Sequence, residues 1–126
     1  MGRPRTLSEV AACPDDLATF SHDLAEFLDE FYRERRGEMI EEEPARLAGR
    51  IREGDVADAY LAATAVALAR LMGTCPPRWA AGPDRRLDRP WFASRGAAVR
   101  ATLLLESPAP FRERNLFVSD NALARA

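Results

Sequence analysis

A chain of 126 residues, 47% hydrophobic and 30% charged, has enough length and apolar content for one core, and it lies outside the disordered regime of low hydrophobicity and high net charge. It contains no run of about 18 apolar residues, and its basic start, Met1 to Arg5, leads into polar residues rather than an apolar signal region. A cytoplasmic protein without a membrane span is therefore expected, formed as a single helical domain over residues 1–126.

The first 13 residues read as a flexible addition. Cys13, like the distant Cys75, has no second thiol or histidine at ligand spacing, so no metal or cofactor is expected and each cysteine reads as a small buried hydrophobe. A helix is predicted from Pro14 to about Arg36. Proline suits its first position, Asp15 and Asp16 suit its N-terminus, and Leu17, Phe20, Leu24, Phe27, Leu28 and Phe31 recur at threes and fours. Gly37 is expected to stop it. His22 falls off the apolar stripe, and without a second histidine it cannot complete a di-iron site. Glu41, Glu42 and Glu43 read as a solvated helix end closed by Pro44.

Gly54 and Asp55 precede a second predicted helix that reaches Met72 before Gly73, with Asp55 placed to cap it and Asp58 to favour its first turn. Its many alanines permit close approach of neighbours, which points to a central position. From Cys75 to Phe92, four prolines and two tryptophans make an irregular strap. Trp79 and Trp91 either pin that strap to the helices or line a binding surface. A third helix is predicted from about Arg95 to Glu106, capped by Ser94 and assigned to the core because Val99, Leu103, Leu104 and Leu105 leave its end apolar on all sides. Pro108 restarts a helical turn through Phe111 to about Arg114, and residues 119–126 form a short tail. The expected fold class is all-α: a small bundle of three main helices with short helices and a Pro/Trp-rich strap.

No nucleophile elbow, phosphate loop, Rossmann glycine pattern or paired zinc ligands occur, so no catalytic residue is assigned and an enzyme is not expected. Charge is uneven: Glu9 to Glu43 holds 12 acids and three arginines, and Pro44 to Ala126 holds eight acids and 13 arginines. Either two complementary solvated faces or electrostatic steering of a partner would explain this. The remaining feature is ESPAPFRERNLFV, which sets Phe111 and Phe117 around Arg112, Arg114 and Asn115. Aromatic and arginine side chains together have the composition of interface anchors, so these five residues with Trp79 and Trp91 are the candidate partner-binding set. Closure of the chain's own core is the competing explanation. A second class of function, nucleic-acid binding, would use the Arg-rich stretch 78–100 through Arg78, Arg85, Arg86 and Arg89.

Several short motifs carry a family resemblance: DEFY at Asp29 to Tyr32, EEP at Glu42 to Pro44, DAYLAA at Asp58 to Ala63, Pro77 with Trp79, RPWF at Arg89 to Phe92, and the ESPAPFRERNLFVSDNAL run. From about Asp29 onward the chain resembles a group of small helical proteins of actinobacteria and proteobacteria, encoded beside nucleotidyltransferase-like proteins of toxin–antitoxin type. Glu113 interrupts a more continuously basic stretch, and the segment through Cys13 departs from the pattern. The resemblance implies an antitoxin or accessory subunit whose partner is another protein, with a nucleotidyltransferase-like toxin as the candidate, and it carries no assigned site residues; the alanine-rich helices and apolar tail leave a homo-oligomer as an alternative.

Overall fold

A computed structural model describes residues 3–94 and 96–123. Among these the chain forms six α-helices: α1 (Leu7–Val10), α2 (Leu17–Glu34), α3 (Glu38–Glu41), α4 (Gly54–Met72), α5 (Ala97–Glu106) and α6 (Ala109–Arg112). Two short strands, β1 (Trp91–Phe92) and β2 (Leu116–Phe117), form a parallel pair in which Trp91 faces Leu116 and Phe92 faces Phe117. The fold is mostly helical, and this small sheet corrects the all-α expectation. Strands of two residues are too short to show the alternation by which a strand is read from sequence.

The helix limits follow from their caps. Asp16, not Pro14, starts α2: its side chain accepts the Thr19 N–H at 2.7 Å, a bond that also holds the Asp16 carboxyl below its usual range. At the other end Arg35 adopts the left-handed conformation, with φ of 50°, and its N–H reaches Phe31 O. The helix therefore stops before Gly37. Its stripe Phe20, Leu24, Phe27, Leu28 and Phe31 is buried as the periodicity predicts. The first 13 residues are not merely an appendage, because Leu7 and Val10 of α1 are buried against α2 and α3. Cys13 and Cys75 are both exposed rather than buried.

α4 is central, and most of its residues are buried. Gly54 belongs to the helix, where a Cβ would stand 1.9 Å from the Leu47 carbonyl oxygen, so only glycine allows the preceding loop to lie this close. Asp58 does not serve the helix N-terminus. It is 1% exposed and accepts the N–H groups of Leu47 and Ala48 at 2.7 and 3.0 Å. Beside it lies Arg85, 0% exposed, with Nη1 at 3.7 Å from Asp58 Oδ1. Arg85 Nη2 donates to Pro44 O and to Glu43 Oε2, and its guanidinium sits over the Trp79 ring at 5.1 Å.

The strap is irregular apart from two 3₁₀ turns, at Arg78–Ala81 and Pro83–Arg85. Trp79 pins it, donating from Nε1 to Ile40 O at 3.2 Å. α5 departs most from expectation. Gly96, not Ser94, holds its N-cap position, and residue 95 lies outside the described residues. The helix rests on β2 instead of entering the core, and Leu103 is its buried side chain.

Removing the Asp58 carboxylate strands the Arg85 charge away from water. Asp58→Ala is expected to cost about 3–5 kcal/mol of stability in urea unfolding. Asp58→Ala combined with Arg85→Met should recover part of that loss; no recovery would mean that the ion pair is not the reason.

Candidate functional site: an apolar groove beside a bare helix

The C-terminal motif closes the core. Phe111 is 0% and Phe117 8% exposed. The Phe111 ring meets Tyr60 edge-on at 4.9 Å between centroids, and Phe117 stacks on Phe92 at 5.0 Å. Arg114 is buried and donates to two backbone oxygens, Pro110 O at 2.8 Å and Ala80 O at 2.9 Å. Burial lowers its pKa, against the pull of Glu113 and with the push of Arg86 and Arg70. Asn115 takes a left-handed turn, with φ of 63°, and its side-chain amide donates to Leu87 O at 2.7 Å. Ser107, inside the same motif, accepts the Val118 N–H at 2.9 Å and so ties the end of α5 to the chain's last segment. Of the five motif residues proposed for partner binding, Arg112 alone is exposed.

The arginines of the strap divide in the same way. Arg85 is wholly enclosed, so it presents nothing to a phosphate, whereas Arg78, Arg86 and Arg89 are exposed and make no ion pair among the described residues. Trp79 is engaged with Ile40 and Arg85. Trp91 is different: it is half-buried and forms one wall of a groove of about 380 Å³, within the size range of ligand sites.

One face of α2 lines this groove through Leu17, Phe20, Ser21, Leu24, Ala25 and Leu28. Val56 and Tyr60 of α4 form its floor, and Val118, Ser119 and Ala122 complete the rim. It contains no charged side chain. The Tyr60 hydroxyl makes no hydrogen bond among the described residues, and burial pushes its pKa up to about 12. The site therefore offers apolar area, two aromatic rings and one neutral phenol, which suits an apolar segment and provides neither a base nor a metal-binding set. Among the described residues no cluster of His, Cys, Asp or Glu could hold a metal ion.

On the far side of the sheet, α5 is exposed at every position from Ala97 to Leu105 except Leu103, and Ala97, Ala98, Ala101, Leu104 and Leu105 share one side of it. These positions fall at i, i+1, i+4, i+7 and i+8, one continuous helical stripe. Leu105 is 84% and Leu104 47% exposed, unusual for large aliphatic side chains that gain roughly 1.5–3 kcal/mol each from burial. The expectation that α5 belongs to the core was built on those same leucines. Sequence reasoning missed α2's contribution to the groove too, since Ser21 and Ala25 give no signal in isolation. No helix among the described residues is long and apolar enough to cross a membrane. The chain matches no protein-family model, no curated protein and no solved structure.

Two measurements separate structural from exposed groups. Arg114→Ala leaves two buried carbonyls without donors and is expected to lower stability by about 2–4 kcal/mol, while Arg112→Ala changes it by less than about 0.5 kcal/mol. Tyr60 should govern the alkaline limit. The unfolded phenol ionises near pH 10 and the folded one near 12, so its contribution is complete below pH 10 and disappears as the pH rises to 12. Tyr60→Phe should flatten that fall in a pH series of thermal melts; an unchanged slope would contradict the assignment.

Proposed function

We propose that this chain is a protein-interaction module, an antitoxin-like or accessory subunit, which receives an apolar helix of a partner protein in the groove between α2, Tyr60 and Trp91. The observation that carries this reading is the groove itself: apolar, uncharged and walled by α2 over the whole span Leu17 to Leu28. At 1.5 Å per residue those 12 residues span about 18 Å, a little over three turns of helix. Grooves of this kind take amphipathic helices through anchors spaced at three and four residues, and the rings of tryptophan and tyrosine supply large contact area at low entropic cost. Lack of charge in the lining favours aliphatic anchors over acidic or basic ones, because an unpaired ion brought into the groove would lose its hydration.

The resemblance of the C-terminal run to proteins encoded beside nucleotidyltransferase-like toxins supplies the partner to test first, the product of the neighbouring gene. No reaction is assigned to the module. Its contribution to a complex is a preformed apolar face, held by the buried motif residues Phe111 and Arg114 and the half-buried Asn115.

Co-expression with the neighbouring gene product, followed by purification through a tag on one chain, tests the reading. Ser21→Glu with Ala25→Glu places two carboxylates in the groove at exposed and half-exposed helix positions, where glutamate is a good helix former. The expected outcome is a complex with the parent chain that weakens about 30-fold or more in the double variant, with melting temperature shifted by less than about 4 °C. Equal binding by both, or no complex with the parent chain, would count against it.

A further inference from the structure

We infer that, in the absence of another partner, the groove is filled by α5 of a second copy, in a reciprocal two-fold dimer that conceals the docking surface. This rests on the reading of the groove as a helix-docking site and adds its occupant in the resting state.

The argument begins with complementarity inside one chain. α5 spans 10 residues, about 15 Å of helix, against the roughly 18 Å of α2 that lines the groove. Its outward stripe has three alanines at its N-terminal end and two leucines at the other. Small residues allow the helix backbone to come close to α2, and the leucines match in size a groove with room for a few aliphatic side chains. Both surfaces are uncharged along their length: no charged residue lines the groove, and none interrupts the α5 stripe. The charged residues described on α5 lie elsewhere on its circumference. Arg100 is drawn over the Phe92 ring at 5.1 Å, and Glu106 ends the helix.

α5 does not reach the groove of its own chain. Trp91 and Phe92 are neighbours in β1 and so point to opposite faces of the two-stranded sheet. Trp91 lines the groove, whereas Phe92 carries Arg100 of α5. α5 thus stands on the opposite face of the sheet from the groove, and Ser107 fixes its C-terminal end there through Leu103 and Val118. A second copy has no such restriction. If each copy gives its helix and receives the other's, both apolar surfaces are covered in one event and association stops at two. Two such contacts fall below the roughly 1,200 Å² at which specific, stable interfaces begin, so the dimer is a weak one. A dimer of that size exchanges readily, so a partner with a better-fitting helix can displace it.

The test uses the full chain in sedimentation velocity across a concentration series from micromolar to millimolar, with Leu105→Glu to disable the helix and Ala25→Glu to disable the groove. Each substitution occurs at both contacts of a symmetric dimer, so each should weaken self-association by more than about 100-fold. Mixing the two variants restores one good contact, because the intact groove of Leu105→Glu accepts the intact helix of Ala25→Glu. A mixed dimer with neither variant dimeric alone is the expected result. Ser21→Glu repeats the groove arm at an exposed position should Ala25→Glu unfold the chain.

A parent chain that stays monomeric throughout overturns the inference, and leaves the co-expression result to judge the docking function separately. Persistence of the Ala25→Glu dimer with loss of the Leu105→Glu dimer would also overturn it, by showing that α5 pairs with α5. A mass that keeps rising with concentration excludes the closed two-fold form.

Discussion

Burying a guanidinium requires that the charge be neutralised where it stands, and Arg85 imposes that condition on the whole middle of this chain. Its Nη1 faces the Asp58 carboxylate of α4, and its Nη2 reaches the loop before that helix through Glu43 and Pro44. The same carboxylate holds the N–H groups of Leu47 and Ala48. One ion pair thus fastens two segments that have little regular hydrogen bonding of their own, the 44–48 loop and the strap, to the start of α4. The Arg85 Nε and Nη1 atoms make no hydrogen bond among the described residues, so Asp58 and the Trp79 ring provide the compensation available at that end. The anchored strap runs on to Trp91 at the groove.

The C-terminal motif then completes a second, similar closure. Arg114 crosses to Ala80 O on the strap, Asn115 to Leu87 O, and the β1–β2 pairing carries the chain back alongside Trp91. What looked in sequence like a set of interface anchors is largely an internal clasp. Arginine serves here because its planar fork can donate to two carbonyls at once from a fixed plane, which an ammonium on a flexible stem does less well. The clasp leaves function to its surroundings: one side of the sheet faces the groove and the other supports α5.

Much of the helical framework was legible. α2 and α4 announce themselves by periodicity and by breakers at their ends, and the strap by its prolines. Arg85 was not legible from its own neighbourhood, since an arginine in a polar, proline-rich stretch reads as surface. A signal did exist on the other partner: Asp58 lies on an otherwise apolar, alanine-rich helix, and a carboxylate there requires a cation or several N–H donors. Reading Asp58 as a first-turn charge hid that requirement. The strands were invisible for a different reason, because two residues cannot show a period. The groove was invisible because it is a tertiary object, assembled from Ser21 and Ala25 on one helix and Val118 and Ala122 nearly 100 residues later.

α5 is where the conflict between levels is most informative. Its composition follows the rule for a buried helix, apolar nearly all round, yet its surroundings leave Leu104 and Leu105 in water. In a chain whose α2 buries its apolar stripe, such a disagreement marks a site at which folding alone does not determine the residues. α5 keeps Leu103 for the sheet and leaves Val99, its alanines and two leucines exposed. An exposed stripe of that kind costs solubility unless something covers it, while the groove on the other face of the same sheet is apolar and uncharged. The two deficits have the same chemistry and nearly the same length, and the clasp that prevents either from being relieved within one chain is what makes a second chain the physically consistent remedy.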